Sequence, residues 1–484
     1  MDRRSFMKQG AAAVGAAAAM ATAAEAAEKP VTPANSRKPN IILFLADQFR
    51  WDFVGANGAN SSTNTPNIDV MAKRGTNFSH TLTNQPVCGP ARSVLMSSRY
   101  ATDTGVWHND DMGLKTTLPT LAGELRKAGY TSNLIGKWHL GPGFLAGHKD
   151  MGFVDKAHRG GFDDLWIGAN ALELTSHPYG GSMWDGDGKE VKWENEYRVD
   201  FLTDLAEKFL RDQQHAEKPF FLFLSQLEPH QQNDMEHSMV GPKGSAKKYI
   251  NAFVPPDLKA LPGNWHQQLP DYYGCCEEID KSVGRVRKVL EETGQAENTI
   301  LVFMSDHGCH FMTRNTEYKR SVHGASTRIP FIVEGPGFNH AEEVTQCCGI
   351  IDMAPTLLDA AGVERPASWQ GRSVMPLITD KKARAEWNDS TFIQISESLT
   401  GRAVRTRDWT YCIADITGDV SKPAAASYRE YQMYDLRNDP AELVNLAGRK
   451  EYRAKADELQ AELKRLMIAA GEKEPVIEEA KIYP

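Results

Sequence analysis

The chain has 484 residues, 41% of them hydrophobic and 24% charged, with a formal net charge of −8. That composition supports a sizeable folded core and excludes a disordered or fibrous protein. The mildly acidic balance excludes general attraction to nucleic acid, so an anionic ligand needs a local basic pocket.

Arg3-Arg4-Ser5-Phe6-Met7-Lys8 is a twin-arginine pattern, followed by an Ala/Gly-rich stretch over residues 10–24. That stretch is too short and too weakly apolar for a membrane span. Residues 1–28 are therefore expected to be a signal peptide read by the twin-arginine export machinery, with no stable membrane insertion and a periplasmic or secreted destination. Residues 29–38, Pro-rich and polar, read as a linker.

Residues 41–46 (IILFLA) form a continuous apolar run, as a strand buried on both faces requires, and the run stops at Asp47-Gln48. Segment 131–135 runs into Gly136-Lys137-Trp138-His139, and segment 220–224 leads through Ser225 to His230. Segment 300–304 ends at Ser305-Asp306-His307-Gly308. Helical spacing over 118–129 and 276–293 places helices between these runs. Alternating strands and helices predict parallel pairing, and ligands of such sheets gather beyond the carboxyl ends of the strands. The polar residues that end the runs are thus expected to converge. After about residue 375, strand candidates at 391–395, 402–405, 409–413 and 431–434 precede an amphipathic helix at 451–470. The fold class is α/β. A large, mainly parallel sheet covered by helices on both faces is expected over 39–380, and a smaller C-terminal α+β subdomain, an antiparallel sheet plus helix, over 381–484.

The stretch 87–100 (VCGPARSVLMSSRY) carries a lone thiol. The cysteine count is odd, with two vicinal pairs and no CxxC, which excludes a disulfide framework and a structural zinc site. Pro90 suits the first turn of a helix, setting Cys88 at an N-terminus where backbone N–H groups favour negative charge. A spacing of four brings Arg92 back toward it. From these residues alone two readings stand. One is a buried structural thiol; the other is an anion pocket with Cys88, or something made from it, as nucleophile.

Cys88-Gly-Pro-Ala-Arg92 matches the Cys-x-Pro-x-Arg element of the formylglycine-dependent sulfatases, type I sulfatases of the alkaline phosphatase superfamily. Residues 39–48 (PNIILFLADQ), 134–141 (LIGKWHLG), 301–308 (LVFMSDHG), 328–333 (RIPFIV) and 433–440 (MYDLRNDP) resemble further blocks of that family, in its order. The resemblance implies that a formylglycine-generating enzyme oxidises Cys88 to 3-oxoalanine, the catalytic formylglycine. It implies Ca2+ on Asp47, Gln48, Asp306, His307 and an oxygen of modified Cys88. It further implies that Arg92, Lys137 and Lys319 hold sulfate oxygens, and that His139 contacts the nucleophile. His230 is the candidate general acid, with His237 nearby in the same loop. His108 and His323 are expected to line the substrate pocket.

Two positions depart from the family pattern. Gln48 stands where many sulfatases have a second Asp, and His307 where many have Asn. The nitrogen donor of His307 admits Mn2+ or Zn2+, and the pair also resembles phosphonate monoester hydrolases. The expected activity is hydrolysis of O-sulfate esters on a sulfated carbohydrate substrate. Trp51, Trp107, Trp138, Trp184, Trp193 and Trp265 are offered as stacking faces, and loops 141–197 and 231–268 as specificity determinants. The alternatives are a phosphonate or phosphate diester hydrolase with the same site, and a non-catalytic sulfated-glycan-binding protein.

Overall fold

The four apolar runs lie side by side at the centre of an 11-stranded sheet. The structure is a computed structural model that describes residues 37–109, 113–143 and 152–481. The expected signal peptide and nearly all of the linker lie outside the described residues. Thr299–Ser305, Asn40–Ala46, Phe220–Ser225, Thr131–Lys137 and Leu165–Ala169 are parallel, in that order. Their register levels the carboxyl ends: Ala46 lies beside Ser305, and Ser225 beside both Leu45 and Gly136.

Both margins turn antiparallel. Phe331–Glu334 pairs with Thr299–Ser305 on one side, and Gly180–Asp185 with Leu165–Ala169 on the other. The expected parallel sheet is therefore a five-stranded centre with antiparallel flanks. The central runs are apolar throughout because alternate residues enter different cores. Ile41, Leu43 and Leu45 pack with Val94 and Leu95 of the helix Cys88–Ser97. Ile42 and Phe44 pack with Leu202 of Arg198–Asp212 and Ile279 and Val283 of Trp265–Glu292. That last helix begins well before the expected residue 276, because Pro270 is accommodated near its start.

Ser390–Ile395, Gly401–Thr406, Trp409–Asp415 and Ser427–Asp435 form an antiparallel sheet, to which Val476–Glu478 adds a parallel edge. Leu459, Leu463 and Met467 of the helix Arg453–Ala469 pack on it with Phe392 and Val404. The subdomain is stitched to the large sheet's side of the molecule. Asn84 Nδ2 donates to the Phe392 carbonyl at 2.8 Å, and Gln85 Nε2 to Ser396 Oγ at 2.6 Å. Among the described residues, no helix is long and apolar enough to cross a membrane.

Candidate active site

Because the strand ends are level, the residues that follow them meet. Asp47 and Gln48 leave the Asn40–Ala46 strand, Asp306 and His307 leave Thr299–Ser305, and Lys137 closes Thr131–Lys137. Cys88 opens the helix Cys88–Ser97 directly over them. Its Sγ lies 2.8 Å from Lys319 Nζ, 3.1 Å from His307 Nε2 and 3.4 Å from Asp47 Oδ1. Ligand atoms of Asp47, Cys88, Asp306 and His307 all lie within 4.8 Å of one another, and all four residues are buried. Gln48 turns the chain at a left-handed φ of 68°. Its N–H and that of His307 both donate to Asp306 Oδ1, at 3.1 and 2.9 Å, which fixes that carboxylate.

Arg92 takes a role different from the expected one. Its Nε donates to Asp306 Oδ2 at 3.0 Å and its Nη2 to Asp47 Oδ2 at 3.1 Å. Its Nη1 donates to the Lys137 carbonyl at 3.0 Å and Ser225 Oγ at 2.8 Å. A guanidinium engaged this fully binds the cluster together rather than a sulfate oxygen. Lys137 Nζ bridges Asp47 Oδ2 at 2.8 Å and Glu173 Oε1 at 2.9 Å. Burial alone would lower the Lys137 ammonium, but Asp47, Cys88 and Glu173 outweigh it and hold it charged. Burial would likewise raise Asp47, yet the charges of Lys137 and Arg92 hold its carboxylate well below the usual range.

The imidazoles of His307 and His230 have defined tautomers. His307 Nδ1 faces the Gly308 carbonyl at 2.9 Å and must donate to it, which leaves Nε2 with a lone pair toward Cys88 and Asp47. His230 Nδ1 faces the Gln231 carbonyl at 2.6 Å, so its Nε2 accepts from Lys319 Nζ at 3.1 Å. Burial, then Lys319, holds both rings well below the ordinary histidine range. His139 is held down by burial and then Lys137; it stands at a left-handed φ of 62° with its N–H on the Asn170 carbonyl.

Burial, then Asp47, pushes the Cys88 thiol up to about 12. That displacement disfavours the thiolate by roughly 4 kcal/mol, several times the ~1 kcal/mol a helix N-terminus provides. The unmodified thiol is a poor nucleophile here, despite its place on the helix.

The residues fit a divalent cation. Gln48 Nε2 donates to Gln231 Oε1 at 2.7 Å, while Gln48 Oε1 is buried without a hydrogen-bond partner. An orphaned amide oxygen, two carboxylates and an imidazole lone pair make an oxygen-rich donor set that a hard cation satisfies.

The remaining expected site residues divide between the cluster, its margin and other parts of the fold. His323 is not brought to the cluster: its Nδ1 lies 3.2 Å from Ser321 Oγ and its Nε2 3.1 Å from the Tyr434 hydroxyl, beside a separate cavity. His108 is half-buried against Trp107, whereas its neighbour Asn109 accepts the Gly89 N–H at 2.9 Å, at the start of the Cys88 helix. His237 is exposed, so His230 alone of that loop's two histidines joins the site. Trp138 and Trp193 belong to the two cores and offer no stacking face. Ser225 was among the run-ending residues expected to converge, whereas Glu173, Gln231 and Asn109 escaped the sequence reading. Asn109 was signalled by its neighbour His108 and Gln231 by its neighbour His230; nothing local marks Glu173.

A sulfatase family model matches residues 39–363, and a model described as N-sulphoglucosamine sulphohydrolase, C-terminal, matches 316–469. An ulvan-active sulfatase of Formosa agariphila is 29% identical over 453 residues, covering 90% of this chain and 82% of that protein. An N-acetylglucosamine-6-O-sulfatase of Bacteroides thetaiotaomicron is 24% identical over 532 residues, covering 93% and 89%. A solved structure holding its substrate D-glucosamine-2-N,6-O-disulfate shares the fold, with a TM-score of 0.72, 22% identity and coverage of 91% and 99%.

Proposed function

The chain belongs to the sulfatase family and is a sulfuric ester hydrolase, and from that premise we propose that it cleaves O-sulfate from a carbohydrate, using a formylglycine made from Cys88 and a bound divalent metal. The observation that carries the reading is the buried meeting of Cys88 with Asp47, Asp306, His307 and Lys319. Relatives named for activity on ulvan and on N-acetylglucosamine 6-O-sulfate support the carbohydrate substrate.

Asp47, Gln48, Asp306 and His307 would hold a divalent cation, Ca2+ by family and Mn2+ or Zn2+ by the His307 nitrogen, which would supply a Lewis acid beside position 88. A formylglycine-generating enzyme would produce the aldehyde, and water adding to it would give two hydroxyls on one carbon: one to attack sulfur, the other to lose its proton as the C=O re-forms and the C–O bond to sulfate breaks. The chain's own residues do the rest. Lys137, charged between Asp47 and Glu173, sets a fixed positive charge beside the site for an anionic ester. Lys319 stands between position 88 and His230 Nε2. Lys319 there relays the proton that the attacking hydroxyl gives up: it takes that proton as it passes one to His230 Nε2, and His230 delivers it to the departing alcohol. Arg92 keeps Asp47 and Asp306 in place through this.

Cys88→Ala tests the reading. Turnover of an aryl sulfate and of sulfated sugars is expected to vanish while the thermal melt stays near that of the parent; substantial remaining turnover refutes the nucleophile assignment. Mass spectrometry of the peptide spanning Cys88, from protein of the native host, should show the aldehyde. Gln48 and His307 motivate a second reading, a phosphonate or phosphate diester hydrolase. Aryl phosphate diester turnover exceeding aryl sulfate turnover would establish it instead. Export by the twin-arginine route to the periplasm or beyond is part of the same proposal. Arg3→Lys with Arg4→Lys should retain the enzyme inside the cell, and unchanged export would overturn that part.

A further inference from the structure

The cavity that His323 lines is not part of the Cys88 cluster. It measures about 240 Å³ and is bordered by Arg50, Trp51, Arg314, Arg328, Arg405 and Glu442 among others. An adjoining cavity of about 190 Å³ shares Trp51, Arg328 and Arg405 and adds His80. Together they reach the size range of small-ligand sites, about 300–1,000 Å³.

Four guanidinium groups face the larger cavity against three carboxylates, and each carboxylate is already engaged. Asp52 and Asp257 each take a two-pronged bond from Arg50, at 2.7 to 3.0 Å. Glu442 accepts from Arg405 Nη1 at 2.7 Å, Thr410 Oγ1 at 2.8 Å and the Gly324 N–H. Arg314 and Arg328 have no carboxylate partner among the described residues. Arg314 donates only to the carbonyls of Ala441 and Glu442, at 2.6 and 2.9 Å, and its Nε is buried with no hydrogen-bond partner. Arg328 donates Nε and Nη2 to the Ser79 carbonyl and sits over Trp51, its Cζ 3.5 Å from the ring centroid. Burial, then Arg405, pulls the Arg328 guanidinium down to about 10. Both side chains are half-buried, so two guanidinium groups held among carbonyls beside a third, without a carboxylate partner, keep edges toward the cavity that an oxyanion can meet. Planar forks of this kind match two oxygens of a sulfate or carboxylate.

We infer that this cavity is a second anion site, separate from the Cys88 cluster, which takes a sulfate or carboxylate group, either free or carried on a small saccharide. The guanidinium edges of Arg314, Arg328 and Arg405 bind the oxyanion, and the apolar sides of Trp51 and Ala325 border it. Nothing in the hydrolytic step requires the site, so it governs binding rather than turnover.

Crystals of the holoenzyme soaked in sodium selenate test this. An anomalous selenium peak is expected within hydrogen-bond reach of Arg314, Arg328 and Arg405. Arg314→Gln should remove that peak while leaving one at the Cys88 cluster and leaving small aryl sulfate turnover unchanged. In solution, calorimetric titration with selenate, glucuronate and glucose should show binding of the two anions, weakened about tenfold in Arg314→Gln, and none of glucose. Tighter binding of glucuronate than selenate supports a saccharide-borne anion; equal binding supports the free ion. Arg328→Lys, which keeps the charge and loses the fork, should repeat the loss. A cavity without selenium, or anion binding unchanged in Arg314→Gln, overturns the inference and leaves these arginines as a seam between the two sheets.

Discussion

Arg92 donates from three nitrogens to four acceptors, and two of those acceptors are the carboxylates of the candidate metal site. Asp47 and Asp306 would otherwise stand as like charges in a buried space. Lysine offers one ammonium in place of a fork and cannot bridge both carboxylates while also holding Ser225 and the Lys137 carbonyl. Arg92→Lys is therefore expected to purify with little metal and to lose roughly 3–5 kcal/mol of stability, the scale of a broken buried ion pair. Full metal content by elemental analysis, with a parental denaturation midpoint, would contradict this. Glu173 acts one step further out, through Lys137. Glu173→Gln keeps the shape and removes one of the ammonium's two carboxylates. A loss of about ten- to hundredfold in kcat/KM is expected from weakening one charged hydrogen bond, with the thermal melt nearly unchanged; parental kinetics would show that Asp47 alone positions Lys137. Asp47, Asp306 and Lys137 were legible because each ends a run that only a doubly buried strand explains. Glu173 was not, because it lies in the short helix Leu172–Thr175 within a loop of mixed composition, and only the folded chain reveals its partner.

At the scale of the element, the site depends on how closely the strands approach one another at their carboxyl ends. Gly136 precedes Lys137 at a φ of 105°, and a Cβ placed there would lie 2.0 Å from the Ser225 carbonyl oxygen. Both the backbone conformation and the space exclude a side chain. Gly136→Ala must push Thr131–Lys137 away from Phe220–Ser225, carrying Lys137 Nζ off Asp47 and the Lys137 carbonyl off Arg92. Turnover should fall by more than tenfold, together with a stability loss of about 2–4 kcal/mol. An alanine variant with parental turnover would mean that the strand end tolerates the shift. The same close approach explains what the sequence could show of the sheet. Continuous apolar runs are the imprint of burial on two faces, so the parallel centre was readable. The antiparallel flanks are short strands such as Thr76–Phe78 and Gly180–Asp185, where no run is long enough to carry a period. The start of the Trp265–Glu292 helix was hidden for a different reason, since Pro270 reads as a breaker when its neighbours are unseen.

At the scale of the whole molecule, two histidines away from the Cys88 cluster, His80 and His310, make the fold sensitive to acid. Burial, then Arg328 and Arg405, holds His80 down to about 3, and burial holds His310 down to about 4. An unfolded chain binds protons at both near pH 6.5. From about pH 6.5 down to 3–4 the folded state thus binds fewer protons than the unfolded one, and stability falls as pH falls through that window. Above pH 6.5 both rings are neutral in either state and add no pH dependence. Each group contributes about 1.4 kcal/mol per pH unit, so moving from pH 6.5 to 5 should cost on the order of 2 kcal/mol for each. Asp280 works in the opposite direction: burial raises it to about 6, so its folded form gains a proton before its unfolded form does. A comparison of variants cancels that contribution, which is common to both proteins. His80→Asn keeps a polar side chain beside Ser79 and removes one titrating ring. Urea unfolding at pH 7 and pH 5 should therefore show a smaller acid loss in His80→Asn than in the parent, by about 2 kcal/mol. Equal acid losses in the two proteins would show that His80 takes up its proton in the folded state, and that the seam between the large sheet and the C-terminal subdomain opens before the molecule unfolds.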